Sequence, residues 1–164
     1  PFRYFKDYAT QGGINTTLII NGPLVNRKNE IHHGFASIQD LAPTFYEIAG
    51  LTYPESYQGN KVYPLRGSSL LPFISGDTDE IHTADYVFAL EHYGNAMLRK
   101  GEWKITNFQK PFKLENFALY NISNDLGEQT DLKESEAEKY QELLKEWSKF
   151  SNEIKVQIPA PSGK

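Results

Sequence analysis

Lys6 is the residue whose type and placement speak most directly to chemistry. It precedes a Gly12-Gly13 turn that leads into an uncharged, mostly β-branched run, Thr16-Thr17-Leu18-Ile19-Ile20. Loops beside the strands of α/β sheets are where ligands gather, and a lysine there holds an anionic oxygen as a point charge. A solvated lysine is the plain alternative, and the residues alone leave both open. His32-His33 suggests a metal at first sight, but neighbouring side chains point in different directions on a helix or strand. No HxH or HExxH spacing and no cysteine accompany them, and His82 and His92 stand far along the chain. A surface or helix-entry role is expected, and no metal ligand is assigned. Glu91-His92 ahead of Tyr93-Gly94-Asn95 has the composition of an acid–base pair. The ordinary expectation is that Glu91 faces Arg99 across a hairpin. Asn124-Asp125-Leu126-Gly127-Glu128 lacks the alternating oxygen ligands and closing Glu of an EF-hand calcium loop, so it reads as a turn. Trp103 and Trp147 are read as core.

The elements that must position these groups fall into two halves. Thr16–Ile20 suits a strand covered on both faces, as in a parallel or mixed α/β sheet, and its partners must come from elsewhere. Asp40–Gly50 reads as a short helix with Asp40 as N-cap and Pro43 in the first turn. Leu41, Phe45 and Ile48 lie on one face and Gly50 supplies the stop. Residues 51–80, rich in Gly, Pro, Ser and Asp, read as an irregular connection. The second half predicts four strands, Tyr86–Glu91, Ala96–Arg99, Trp103–Phe108 and Phe117–Tyr120, with a tight turn at Lys100-Gly101. Their short connections imply an antiparallel sheet. A long helix over about Glu134–Glu153 covers it. Ser135 and Glu138 are a candidate capping box, and Tyr140, Leu144, Trp147, Ser151 and Ile154 form a stripe widened by Ala137, Leu143 and Phe150. Glu136/Lys139, Glu142/Lys145 and Glu146/Lys149 are expected as pairs on its wet side. The tail from Gln157, with Pro159 and Pro161, is expected to be loose.

Composition bounds the function. The chain has 164 residues, 39% hydrophobic and 23% charged, which suits a globular core rather than a disordered chain or coiled coil. A formal net charge of -4 argues against a dedicated nucleic-acid binder. The absence of cysteine excludes a disulfide scaffold, a thiolate zinc site and a cysteine nucleophile in this chain. No apolar run reaches the ~18 residues of a membrane span. The start, Pro1-Phe2-Arg3-Tyr4, is neither a signal peptide nor headed by an initiator Met, and predicts a mature or truncated product.

Lys6-Asp7-Tyr8-Ala9-Thr10-Gln11-Gly12-Gly13-Ile14 resembles the K-x-x-x-T-E/Q-G-G-I/V segment of the sulfatases, most closely the bacterial arylsulfatases of the alkaline-phosphatase-like superfamily. The stretch from His33 to Thr44 looks like their D-L/I-x-P-T helix start with its later Ala-Gly stop. Arg66-Gly67-Ser68-Ser69-Leu70-Leu71-Pro72 resembles their G-x-S-L/W-L-P stretch. Glu91–Lys104 is similar to E-x-x-G-x-x-A-I/V-R-x-G-D-W-K, and Leu119–Glu128 to L-Y-D-L-x-x-D-P-G-E. These five stretches follow in the family's order and span nearly the whole chain. Leu126, Asn121 and Glu102 depart from the usual Pro, Asp and Asp.

The resemblance implies an α/β fold, α+β in its C-terminal part. Residues 1–75 would supply the last strand and helix of a large catalytic domain. Residues 80–164 would form a small four-stranded antiparallel sheet under a long helix. It also implies hydrolysis of a sulfate monoester, small or glycan-borne, to alcohol or phenol plus sulfate, in a periplasmic or secreted enzyme. Lys6 matches the sulfate-binding, catalytic lysine, whose charge stabilises the sulfuryl and bridging oxygens as the S–O bond breaks. The family's formylglycine nucleophile and its calcium ligands lie upstream of the lysine segment and have no counterpart here. The chain is therefore expected to need the N-terminal remainder of its protein and to be inactive alone. A phosphate or phosphonate ester hydrolase of the same superfamily and a non-catalytic binding module are the alternatives. His33 and Glu91 match recurring family positions and are kept as structural.

Overall fold

The computed structural model of the chain describes residues 2–157. In chain order its elements are α1 (Gln11–Ile14), a 3-10 turn (Ile38–Asp40), α2 (Leu41–Ile48), β1 (Ser56–Tyr57), β2 (Asn60–Lys61), α3 (Leu71–Ser75), β3 (Val87–His92), β4 (Asn95–Lys100), β5 (Trp103–Asn107), a second 3-10 turn (Leu114–Asn116), β6 (Ala118–Asn121) and α4 (Ala137–Ile154). The expected tail beyond Gln157, with Pro159 and Pro161, lies outside the described residues. Contacts group the chain into two compact units: residues 2–17 with 84–157, and residues 18–83.

The first unit is built on the antiparallel sheet β3-β4-β5-β6. Tyr93 and Gly94, both at positive φ, join β3 to β4 through a two-residue turn that matches the twist of the strands, with His92 opposite Asn95. Alternation along each strand sends side chains to opposite faces. Ala89, Ala96, Leu98, Ile105 and Leu119 meet Tyr140, Leu143 and Trp147 of α4 in one buried cluster with Phe117. Trp147 lies 5.3 Å from the Phe117 ring and 5.6 Å from that of Phe150. The four strands and the long helix thus form as the sequence predicts. Trp147 is core, and Trp103 is half-buried against it.

The other face of the sheet is not open. Met97, Lys104 and Thr106 are buried there along with Ala9, Thr10 and Gln11 of the N-terminal segment. Thr106 Oγ1 donates to the Ala9 carbonyl at 3.4 Å. The sheet is therefore a middle layer with α4 on one side and residues 9–11 on the other, an arrangement that alternation alone does not announce.

Several local expectations are corrected. Thr16–Ile20 forms no strand, and Leu18, Ile19 and Ile20 are 48%, 85% and 39% exposed, because no described strand offers a ladder to that run. Asp40 stands at the N-cap position of α2, as expected, but its side chain does not cap that helix; it serves the preceding 3-10 turn, whose N-cap is Ser37. Ser37 Oγ accepts from Gln39 N, and Asp40 returns a carboxylate to Ser37 N in a capping box. The apolar stripe of α2 points outward: Phe45 and Ile48 are 64% and 45% exposed, whereas Thr44 is buried. Residues 51–80, expected to be irregular, contain the β1–β2 hairpin and α3. The expected capping box of the long helix does not form. Ser135 Oγ donates to the Leu132 carbonyl instead, and α4 begins at Ala137. Of the three expected ion pairs only Glu146–Lys149 is present among the described residues, while Lys139 turns to Glu142.

Candidate functional site

Lys6 sits in a tight loop whose shape is dictated by the two glycines after it. Gly12 N donates to the Arg3 carbonyl at 3.0 Å, and Thr10 Oγ1 donates to the same oxygen at 2.7 Å. The loop backbone passes so close that a Cβ on Gly12 would stand 2.1 Å from Tyr4 O, and one on Gly13 would stand 2.0 Å from Tyr8 O. Only residues without side chains allow that approach. Tyr4 and Asp7 take positive φ values of 57° and 78°, which folds the loop back on itself. Tyr4, Tyr8 and Phe108 pack their rings beneath it, with Tyr4 and Tyr8 stacked at 4.6 Å. Lys6 is exposed on this loop, and no ion pair or hydrogen bond to it occurs among the described residues. A lysine so placed is a fixed point of attachment with a free ammonium, suited to an anionic oxygen.

The loop is anchored from below by buried charge. Gln11 N donates to Glu128 Oε2 at 2.8 Å. Glu128 Oε1 lies 2.6 Å from Lys104 Nζ, and both side chains are fully buried. Lys104 Nζ also reaches Gln11 Oε1 at 3.3 Å. Arg3 adds a second tie, donating to Tyr120 Oη at 3.0 Å and to the Glu128 carbonyl at 3.1 Å. Burial pulls the Lys104 ammonium down to about 8, against the pull of Glu128 and with a small push from Arg99. Burial also raises the Tyr120 phenol, which keeps that oxygen neutral as an acceptor for Arg3.

A comparable clamp organises residues 18–83. Asp40, fully buried, accepts from Ser37 N at 2.6 Å and Ser68 N at 2.9 Å, and its Oδ2 lies 3.0 Å from His82 Nε2. Thr44 Oγ1 donates to the Asp40 carbonyl at 2.6 Å and accepts from Leu70 N at 2.8 Å. The Asp40–Thr44 and Ser68–Leu70 stretches are thereby stitched together, although 28 residues separate Asp40 from Ser68.

The other sequence candidates disperse. His33 is exposed, and His32 rests against the Phe73 ring at 4.3 Å. The histidine with a buried side chain is instead His82, 5% exposed and paired with Asp40. Glu91 does not face Arg99; the register sets Arg99 opposite Phe88, and Glu91 Oε1 accepts from Gly94 N at 2.6 Å, closing its own hairpin. Asp125 Oδ2 caps the following turn through Gln129 N and Thr130 N. Glu128 lies at the end of the expected turn. Its use as a buried counter-ion was missed, and the available signal was Lys104, a lysine on a strand flanked by core positions. Among the described residues no group of three His, Asp or Glu side chains converges on a metal-sized space.

No family model matches the chain. It is 29% identical over 163 residues to an uncharacterized sulfatase of Schizosaccharomyces pombe, a match covering 98% of this chain and 29% of that protein. It is 40% identical over 67 residues to an arylsulfatase of Klebsiella aerogenes, covering 41% of this chain and 14% of the other. Arylsulfatase K of Xenopus laevis is 27% identical over 151 residues, covering 87% and 27%. Two solved structures share the fold. One, i-CgsB in complex with a neocarrahexaose, matches with a TM-score of 0.51 at 24% identity over 68% of this chain and 23% of that one. The other, solved with D-glucosamine-2-N,6-O-disulfate, matches with a TM-score of 0.51 at 20% identity over 76% and 25%. Each of these three relatives is named a sulfatase or an arylsulfatase. The similarity to the Schizosaccharomyces pombe protein runs along nearly the whole of this chain, which spans less than a third of each of these relatives.

Proposed function

We propose that this chain is the C-terminal portion of a sulfuric ester hydrolase and that Lys6 is its sulfate-binding, catalytic lysine. The observation that carries the reading is an exposed ammonium on a loop locked by Gly12-Gly13 and tied to a buried ion pair. The fixed loop backbone sets where the Lys6 side chain starts, and bound sulfate would order its ammonium, which then stabilises the charge that develops on sulfuryl and bridging oxygens. Residues 1–75 complete the catalytic α/β domain and residues 80–164 form the smaller sheet subdomain. The nucleophile, formylglycine in this family, and the calcium ligands are supplied by the N-terminal remainder of the protein. The exposed Leu18, Ile19, Ile20, Phe45 and Ile48 support that partner, since it would take these apolar side chains out of water.

The substrate class is a sulfate monoester, with sulfated sugars favoured by the disulfated glucosamine bound in a protein of the same fold. No helix among the described residues is long and apolar enough to cross a membrane, and a periplasmic or secreted location fits such substrates. The test is Lys6→Ala in the full-length enzyme. Losing one preorganised donor to a developing anion lowers kcat about a hundredfold or more on an aryl sulfate. An unchanged rate refutes the role. The isolated chain, which brings a cation but no nucleophile, hydrolyses nothing at enzymatic rates.

A further inference from the structure

Two motif-bearing stretches, far apart in sequence, converge on one residue of a third, the Lys6 segment. Gln11 is held at its backbone by Glu128 and at its side chain by Lys104, two partners of opposite charge. Glu128 divides its carboxylate, one oxygen for the Gln11 amide and one for the Lys104 ammonium. Such a pair, fully buried, is no better for stability than apolar side chains of the same volume, because desolvation consumes the attraction. What it supplies is geometry. A shift of the segment by one residue would put Thr10 or Gly12 in the clamp, and neither carries a side-chain amide to meet Lys104. The Lys6 loop is in turn referenced to this point, since Gly12 bonds Arg3 and the carbonyls of Tyr4 and Tyr8 rest on the two glycines.

We propose that Glu128 is a positioning residue for Lys6, with Lys104 setting the carboxylate that fixes Gln11 and hence where the Lys6 ammonium stands against the ester. This rests on the reading of Lys6 as the sulfate-binding lysine. Glu128 touches no substrate; it acts through the Gln11 amide. Its loss therefore misplaces a charge rather than removing one.

The experiment compares Glu128→Leu, Glu128→Gln, the double variant Lys104→Met/Glu128→Gln and Lys6→Ala in the full-length enzyme. Each is assayed on aryl sulfates whose phenols differ in acidity, below its own melting transition and per active site. Because Lys6 serves the departing oxygen, misplacing it makes kcat depend more steeply on leaving-group acidity, a slope that mere loss of folded enzyme leaves alone. Glu128→Leu lowers kcat about tenfold to a hundredfold and steepens the slope toward that of Lys6→Ala, the scale expected for a displacement near 1 Å. The double variant keeps an acceptor for the Gln11 amide without a buried net charge but loses the Lys104 contact to the Gln11 side chain, so kcat and slope recover only part of the way from Glu128→Leu toward wild type. Glu128→Gln covers the case in which the leucine variant does not fold, and it falls between the two. In the 164-residue chain, Glu128→Leu speeds amide exchange at Gln11–Asn15 at least tenfold more than in β4 and β5. A wild-type slope in both single Glu128 variants, or exchange that rises uniformly through the sheet, overturns the proposal. Should Lys6→Ala keep full activity, the reading of Lys6 falls and this role for Glu128 with it. The exchange result then decides separately whether Glu128 anchors the segment.

Discussion

Asp40 invites the sharpest test of how residues 18–83 hold together, because one carboxylate there serves three donors. It accepts from Ser37 N and Ser68 N and lies beside His82 Nε2, with no exposure of its own. Asp40→Ala leaves two backbone N–H groups and an imidazole in a site from which water is excluded. Each orphaned donor costs about 1–3 kcal/mol, and truncating one partner of a buried charged cluster typically costs about 3–5 kcal/mol in all. We expect about 4 kcal/mol. Asp40→Asn keeps one acceptor oxygen, enough for Ser68 N, but turns an amide N–H toward Ser37 N. About half the alanine loss is expected, near 2 kcal/mol. The assay must be local. Both tryptophans, Trp103 and Trp147, belong to the other unit, so their fluorescence is blind to this clamp. Amide exchange at Thr44, Ser68 and Leu70 reads it directly. A loss of about 4 kcal/mol raises exchange about a thousandfold, or to the unprotected rate where local stability is smaller. Amides of β3–β6 keep their rates. If Asp40→Ala leaves Ser68 and Leu70 as protected as before, the carboxylate is not what joins the two stretches.

Two further outcomes follow from the sheet unit. The Lys104 ammonium is lowered from 10.5 to about 8 by burial, so between those pH values the unfolded chain binds a proton that the native chain has released. Stability therefore rises with pH across that window, by up to about 1.4 kcal/mol per pH unit and about 3 kcal/mol in total. Urea melts followed by tryptophan fluorescence at several pH values from 7.5 to 10 should show this rise in the native chain and its absence in Lys104→Met; a constant gap between the two would refute the depressed lysine. Trp147, 1% exposed and packed on Phe117 and Phe150, should cost about 3–5 kcal/mol when replaced by alanine, read as a lower urea midpoint by circular dichroism. A loss below 1 kcal/mol would mean that α4 does not depend on this ring.

What could be read from residue order divides along the range of the interactions involved. The strands around Ala89, Leu98, Ile105 and Leu119 were legible because alternation and turn chemistry at Gly94 and Gly101 are local, and so was α4, whose stripe is written at helical spacing. The misread places are those where a partner decides the outcome. Thr16–Ile20 has the composition of a strand, yet a strand exists only as a ladder, and nothing described pairs it. The α2 stripe was correctly seen as apolar but not as outward-facing, because burial belongs to whatever lies opposite, and in this chain the covered residue is Thr44. Lys104 and Glu128 carry the same lesson at the site. A lysine and a glutamate in turn-rich sequence look like solvated charges, and only their meeting across the sheet, with Gln11 between them, turns them into an anchor. The motifs that make the segment resemble a sulfatase are, apart from Lys6, largely the residues that perform such joining. Gly12 and Gly13 admit the loop carbonyls, Asp40 and Thr44 bind Ser68 and Leu70, and Lys104 and Glu128 bind Gln11. Most of these signature residues thus fix one stretch against another within their own unit, which is why their roles show only once the chain is folded.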